Sequence, residues 1–441
     1  MPFDKPQQSE VEAYFDRLFP LLRSITGDGV RKTHDILSEL MPLERIEIPT
    51  GTRVFDWTIP KEWKCRDAYV IDPQGRRILD VNQNNLHLVN YSMPFRGRLS
   101  RKELDEHLYS RPDLPQAIPY VTSYYEPRWG FCLADEQRRA LPDGEYEVVI
   151  DTDLVDGSLT ISEAVLPGRT GLEVLISTYT CHPSMANNEL SGPLVSAFLC
   201  RSLSVKEDRK LTYRFVLVPE SIGSIAYLHL RGRHLVDRTV AGVVLTCIGD
   251  RSHLTYKKSR RGDALIDRAA SACLRHFDAD TEFLDFYPYG SDEKHYCSPG
   301  FNLPIGTLMR TPPAKYPGYH TSLDNKDFIS FAAIANAVEA LQRLMTLLEE
   351  NETYINLYPF GEPQLGSRGL VSTLSRTENR SAFTVAVKWV LNLADGSHDL
   401  LQIADRSNLD PSLIFHAAAR CREAGLIAPA TSDRTQVARL P

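Results

Sequence analysis

Residues 172–203 read LEVLISTYTCHPSMANNELSGPLVSAFLCRSL. The stretch opens on a near-continuous apolar run, becomes polar and turn-like, and from about Gly192 takes helical spacing. A strand that is apolar on both faces belongs inside a sheet covered on both sides, and such sheets are mostly parallel. The unit recurs: YRFVLVP at 213–219 leads to a helix from Ser224, and VAGVVLTCI follows at 240–248. This strand–helix alternation predicts an α/β core around a largely parallel sheet. An amphipathic stretch from Asp327 to about Glu350, carrying Phe328, Phe331, Ile334, Val338, Leu341, Met345 and Leu348, predicts a long helix that closes it.

Outward from the core the texture changes twice. Near the N-terminus, Val11, Tyr14, Phe15 and Leu18 fall at helical spacing and Thr26-Gly27-Asp28-Gly29 interrupts them, predicting two helices with a glycine hinge. From Arg53 to about Val155, β-prone runs such as WTIP, DAYVID, NLHLVNYSMP and YEVVID are separated by Pro, Gly and Asp, predicting a compact β-rich module. After Ser381, AFTVAVKWVLNLADG and DLLQIADRSNLDPSLIFHAAARCREAGLI give three short helices and an apolar exit strand, a winged-helix pattern. Between Ser381 and Ile427, Lys388, Arg406, Arg420 and Arg422 face Asp395, Asp399, Asp405, Asp410 and Glu423. That balance is wrong for reading a DNA groove and favours packing or self-association.

Charge and length agree with this. The 441 residues carry 50 Lys+Arg against 57 Asp+Glu, a net charge of −7 without long single-sign blocks, so nucleic acid is not an expected partner. No run approaches ~18 apolar residues, and MPFDKPQQSEVEAYFDRLF lacks a basic segment followed by an apolar one, so neither a membrane nor a secretory route is expected. The 8 cysteines are scattered without a CxxC pair, the usage of a reducing cytoplasm, and any metal is expected to rest on nitrogen and oxygen ligands.

Ligands in open α/β sheets bind beyond the carboxyl ends of the strands. Four polar runs answer to that position: CHPSMANNELSG from Cys181, PESIGS from Pro219, YPYGSDEKHYCSPGFNLP from Tyr287 and YPGYHTSLDNKDF from Tyr316. In them His182 and His320 are side chains suited to zinc, and Glu220 beside such a metal could take a proton from a bound water. The alternative is that each histidine is a core group and Glu220 a helix N-terminal charge. In the β-rich module Tyr120, Tyr124, Tyr125, Arg128 and Trp129 offer an aromatic wall and a guanidinium for a substrate side chain, or else the module's own packing. Arg23, Arg31, Arg260 and Arg261 either receive a carboxylate or lie on solvated surface.

The motifs RSITGDGVRKT, VFDWTIPKEW, NLHLVNYSMP, IPYVTSYYEPRWGFC, CHPSMANNELSG, PESIGSIAYL, YGSDE, YHTSLD and LADGSHDLLQIA span nearly the whole chain. On them the sequence resembles an aminopeptidase-like family with a DUF4910 core and an inserted DUF2172 module, known in bacteria as polysaccharide-biosynthesis proteins with an aminopeptidase-like domain and related to the M28 zinc aminopeptidases. The resemblance implies an M28-like core with a mixed central sheet over residues 1–52 and 156–370, an inserted β-rich module over 53–155, and a winged-helix-like domain over 371–441. It places His182 and His320 at zinc-histidine positions and Glu220 at the general base. Ser221 stands where that family has a second glutamate, Thr246 near a ligand aspartate, and Asn188 where an aspartate bridges two metals. One zinc rather than two is therefore expected. If the turn shifts by one residue, Glu189 joins His182 and His320 in a His₂Glu set; otherwise Glu189 faces solvent and the site is metal-free. Asp292 is expected to hold a substrate amine or to cap a helix after Gly290-Ser291, and Asp324 to support the ring of His320 or to cap the helix near Asp327.

The activity implied is zinc-dependent hydrolysis of an amide in a short peptide or aminoacyl conjugate within a biosynthetic pathway. Asn188, Ser221 and Thr246 favour a second reading, a metal-free binding or scaffold protein. Acyl transfer or cyclisation in the same pocket is a third. Self-association through the winged-helix or inserted module is the only macromolecular contact expected.

Overall fold

The computed structural model describes residues 5–370 and 382–430, so the stretches 371–381 and 431–441 of the expected winged-helix domain lie outside the described residues. The chain forms two units, one of residues 1–262 with 282–339 and one of residues 263–281 with 340–441.

The first unit is built on an eight-stranded sheet, in the order Glu44–Pro49, Ser158–Leu166, Thr212–Val218, Glu173–Tyr179, Thr239–Leu245, Ile305–Met309, Thr255–Lys257 and Glu282–Leu284. Thr212–Val218, Glu173–Tyr179, Thr239–Leu245 and Ile305–Met309 pair in parallel. Antiparallel pairs flank them: Ser158–Leu166 with Glu44–Pro49 and with Thr212–Val218, and Thr255–Lys257 with Ile305–Met309. The sheet is therefore mixed, because the strand–helix repeat governs only its centre. Glu173–Tyr179 and Thr212–Val218 are buried at every position. Their charged residues answer one another: Arg214 donates to Glu173 (2.8 Å) and to Glu163 (2.7 Å), and Tyr227 donates to Glu163 (2.6 Å). A buried ion is tolerated only with such partners.

The helices Gln8–Leu18 and Asp28–Leu37 flank the glycine hinge. Gly27 has φ +100°, and a Cβ there would sit 2.4 Å from the carbonyl oxygen of Trp63, so glycine is required. Between Glu44–Pro49 and Ser158–Leu166 the chain forms an antiparallel sheet of Arg77–Ile78, Glu62–Ile71, Glu145–Val155 and Phe95–Ser100. Its apolar face, with Trp63, Val70, Tyr146 and Val148, is continuous with the core of the larger sheet.

In the second unit Asp395–Asp399, Thr353–Asn356 and Ile427–Pro429 form an antiparallel sheet beside the helices Ala382–Leu393, Leu400–Ser407 and Pro411–Glu423. This is a winged helix. Asp399 and Asp410 cap the last two helices with their side chains, the turn chemistry that ends one helix and starts the next. Its middle strand, Thr353–Asn356, lies ahead of residue 371, since it follows directly on the long helix Phe331–Glu350. That helix is long and apolar enough to cross a membrane by length and composition, yet 61% of its most apolar stretch is buried within the protein, the pattern of a core helix.

Candidate active site

The strand Glu173–Tyr179 delivers Cys181 and His182 beyond its carboxyl end, and Ala186–Leu190 forms a π-helical turn before the helix Ser191–Ser204. Single π turns inside helices recur at functional sites because they re-aim side chains. Here the turn brings Glu189 back onto His182: its Oε2 accepts the backbone N–H of His182 (3.0 Å) and faces ring Nδ1 at 2.9 Å. Arg23, 0% exposed, donates to the carbonyls of His182 (2.9 Å) and Leu18 (2.7 Å) and stands 3.5 Å from Glu189 Oε1. Glu189 is the carboxyl facing this buried guanidinium; burial pushes its pKa up to about 8, with Arg23 pulling the other way. Glu189 is thus not solvent-facing, which corrects that expectation: it orients His182, and with Cys181 and His182 it forms a buried group whose donor atoms lie within 4.8 Å of one another and could hold a metal ion. Arg23 likewise receives the protein's own carboxylate, and Arg31 receives that of Glu62 (2.6 Å).

Glu220 follows Thr212–Val218. Its Oε1 accepts from the Ser291 hydroxyl (2.8 Å), and its Oε2 lies 3.6 Å from His182 Nε2. Burial and the nearby Asp292 charge push its pKa upward. Asp292 is fully buried; Oδ1 accepts from the Ser221 backbone and the Ser224 hydroxyl, both at 2.8 Å, at the start of the helix Ile222–Arg238, and Oδ2 has no partner. Asp292 makes no cap bond to the short helix Glu293–Tyr296, correcting that expectation.

His320 adopts φ +55°, a left-handed conformation uncommon for a non-glycine residue and held here by surrounding bonds. The β-rich module provides them. Tyr120 donates its backbone N–H to the His320 carbonyl (2.8 Å), Ser322 donates N–H to the Ile118 carbonyl (2.9 Å), and Ile118 donates N–H to the Ser322 hydroxyl (3.0 Å). The His320 ring stacks on Tyr319 at 4.0 Å and meets the edge of Tyr120 at 5.4 Å; it lies 5.4 Å from the ring of His182. His320 Nε2 is buried and has no partner. Burial lowers the pKa of both histidines to about 3, with Arg23 adding to the effect on His182 and His182 to that on His320. Both rings are neutral at pH 7. With its proton on Nδ1 toward Glu189, His182 keeps a lone pair on Nε2.

Asp324 does not serve His320. Its two oxygens accept the backbone N–H groups of Asn187 (2.6 Å) and Asn188 (2.9 Å) and the Tyr316 hydroxyl (2.8 Å), so it fixes the start of the π turn, where a negative charge meets the helix dipole. Of the aromatic segment, only Tyr120 reaches the histidines, at 5.1 Å from His182. Tyr124 bonds the Tyr120 hydroxyl. Trp129 stacks on Phe95 (4.0 Å) and His107 (3.6 Å), and Arg128 donates to the Thr122 carbonyl beside the Tyr109 ring, so these two expected substrate contacts belong to the module's own packing.

Asn188 donates its amide to the Tyr179 hydroxyl (2.8 Å), which in turn contacts Thr246 (2.7 Å); the amide oxygen of Asn188 is buried without a partner. A neutral network therefore occupies the ground where a second metal would need carboxylates. Cys181, which sequence spacing set aside, is part of the site: its sulfur lies 3.4 Å from His182 Nδ1 and accepts the Glu220 N–H (3.2 Å). Burial and the carboxylates of Glu189 and Glu220 keep it a thiol. Its adjacency to His182 was the available signal; nothing in the strand pattern marked Tyr179.

The donors suit one borderline metal such as zinc. His320 Nε2 is buried without a partner, and a carboxylate oxygen lies 3.6 Å from Nε2 of His182. Two ligands on a tetrahedral zinc at about 2.0–2.1 Å stand about 3.4 Å apart, so Glu220 is within reach of an ion on His182 or of a water attached to it. Glu189 behind His182 completes the carboxylate–histidine arrangement that fixes a ligand ring.

A mixed sheet with two histidines and a glutamate beyond the carboxyl ends of its parallel strands places the first unit among aminopeptidase-like α/β folds. The zinc aminopeptidase BSAP of Bacillus subtilis superposes with TM-score 0.56 at 14% identity, over 78% of this chain and 95% of that one, a likeness of fold alone. The chain belongs to the DUF4910 family: the family described as Domain of unknown function (DUF4910) matches residues 12–351, and a winged helix-turn-helix family matches residues 352–429. It is 42% identical over 409 residues, 93% of this chain and 94% of the relative, to a Clostridium acetobutylicum protein named for polysaccharide biosynthesis with an aminopeptidase-like domain. A crystal structure from that organism, described as a candidate peptidase, matches with TM-score 0.90 at 41% identity over 96% of both chains.

Proposed function

We propose that this protein is a metal-dependent amide hydrolase that releases an N-terminal residue from a short peptide or aminoacyl conjugate. The observation that carries the reading is the neutral, buried His182, whose Nε2 lies 3.6 Å from Glu220 Oε2 and whose ring lies 5.4 Å from that of His320. His182 and His320 hold the ion, with the unpartnered amide oxygen of Asn188 as a further neutral donor. When bound, a divalent metal there would polarise the scissile carbonyl and acidify a water. Glu220, its other oxygen fixed by Ser291, accepts the proton of the attacking water and passes it to the departing nitrogen as the C–N bond breaks, so that amide and water become carboxylic acid and amine. The free Oδ2 of Asp292 receives the substrate ammonium. The relative named for polysaccharide biosynthesis supports a small conjugate of a biosynthetic pathway as substrate, and scattered cysteines joined by no disulfide among the described residues support a reducing cytoplasm. The winged helix serves packing or self-association.

Glu220→Gln, assayed with zinc on a panel of aminoacyl amides, is expected to lower turnover at least 100-fold while zinc remains bound; full activity would remove Glu220 from this role. The neutral Asn188–Tyr179–Thr246 network favours one other reading, a metal-free binding protein. Asn188→Asp separates the two: zinc bound by the natural protein supports the hydrolase, and zinc bound only by the variant supports the binding protein.

A further inference from the structure

We propose that the cleft between Arg111 and Lys315 is a recognition subsite for an anionic group, carboxylate or phosphate, on the substrate of the neighbouring active site. The inference rests on the hydrolase reading for what the substrate undergoes, but not for the anion itself. The cleft has a volume of about 410 Å³ and is lined by Arg111, Ala314, Lys315, Tyr316, Pro317 and Tyr319. Its charged lining residues are both cations, in a chain of net charge −7. They come from separate segments, Arg111 from the β-rich module and Lys315 from the loop that leads to His320. The Lys315 ammonium is exposed and has no ion-pair partner among the described residues. Arg111 is paired with Asp113 through two bonds (Nη2–Oδ2 2.5 Å, Nε–Oδ1 3.3 Å), but the Asp113 side chain is 68% exposed and the pair is screened by solvent, so an incoming anion can compete for the guanidinium. The loop has a defined shape: Ala314 sits at φ +63°, a conformation not adopted without surrounding constraint.

Tyr319 links this cleft to the chemistry. It lines the cleft and stacks on His320 at 4.0 Å with the planes 12° apart, so one side chain touches both the cleft and an imidazole of the site. The acids Glu220 and Asp292 belong to the site itself. A substrate with an amine at one end and an anionic group at the other is therefore oriented by charge at both ends: its amine toward Asp292, its anion toward Arg111 and Lys315.

The test is calorimetric titration of the full chain with inorganic phosphate and, separately, with succinate. The natural protein binds at least one of them; phosphate alone assigns a phosphate group and succinate alone a carboxylate. Lys315→Gln raises Kd about fivefold, Arg111→Gln/Lys315→Gln raises it further, and Asp113→Asn, which frees Arg111, lowers it. The last direction cannot be produced by misfolding. No binding of either anion by the natural protein, or an unchanged Kd in the double variant with an unaltered melting temperature, overturns the subsite. Aminoacyl amides with and without an anionic substituent separate the two claims. If neither is hydrolysed while anion binding follows Arg111 and Lys315, the hydrolase reading fails and the subsite stands.

Discussion

His182 depends on two neighbours, Glu189 and Arg23, and the three form one buried unit. Glu189→Gln removes the carboxyl that faces the buried Arg23, and we expect a loss of about 1–3 kcal/mol in urea unfolding. The same variant should weaken zinc affinity 10- to 100-fold, roughly the effect of removing an orienting carboxylate. A second buried ring gives a pH signature. His34 is fixed between the hydroxyls of Ser162 and Thr180, each at 2.8 Å, and burial, with the charge of Arg45, lowers its pKa to about 3. The unfolded chain binds this proton below pH ~6.5 and the folded protein only near pH 3, so stability is complete above ~6.5 and falls as pH drops, by up to about 1.4 kcal/mol per pH unit. His34→Gln should flatten that part of the unfolding profile, and an equal slope in both proteins would contradict it. At this scale the sequence was informative where polarity interrupts an apolar strand end: His182, Glu220 and His320 were all legible. The direction of Glu189 and the allegiance of Asp324 were not, because both are set by a π turn that leaves no period in the sequence.

Among the elements, the π turn and the helix Ser191–Ser204 seat against the sheet through Gly192. A Cβ there would lie 2.3 Å from Thr178 Oγ1 and 2.6 Å from the Leu245 carbonyl. Gly192→Ala should therefore destabilise the protein by about 2 kcal/mol or more, read as a fall in the unfolding midpoint. The segment Ile118–Tyr120 is the other decisive element, since it pins the loop bearing His320. Ser322→Ala removes one acceptor and should cost about 1 kcal/mol and loosen zinc binding several-fold; unchanged zinc affinity would show that His320 keeps its place without the module. The β-rich texture of this region was plain from its short runs. Its pairing with the residue 320 loop was not, because contacts between residues two hundred positions apart carry no local signal. The Tyr/Trp-rich segment left substrate contact and the module's own packing both open for a related reason: composition does not say which ring faces inward.

For the molecule as a whole, alternation of apolar strands with helices gave away the parallel centre of the sheet, while its mixed character was expected from the family resemblance and not from any period in the strands themselves. The winged helix was legible from its three short helices, while its strand Thr353–Asn356 was hidden behind the long helix. Net charge bears on partners: at −7, the full chain should show no salt-dependent retention of a labelled DNA duplex, and an affinity falling steeply between 50 and 200 mM salt would overturn that. The site itself is most directly tested by metal content. Protein purified without chelator should carry about one zinc per chain, lost in His182→Ala and in His320→Ala. Natural protein free of zinc and unable to take it up, or zinc retained in both variants, would contradict the assignment of these two histidines as the metal-binding pair.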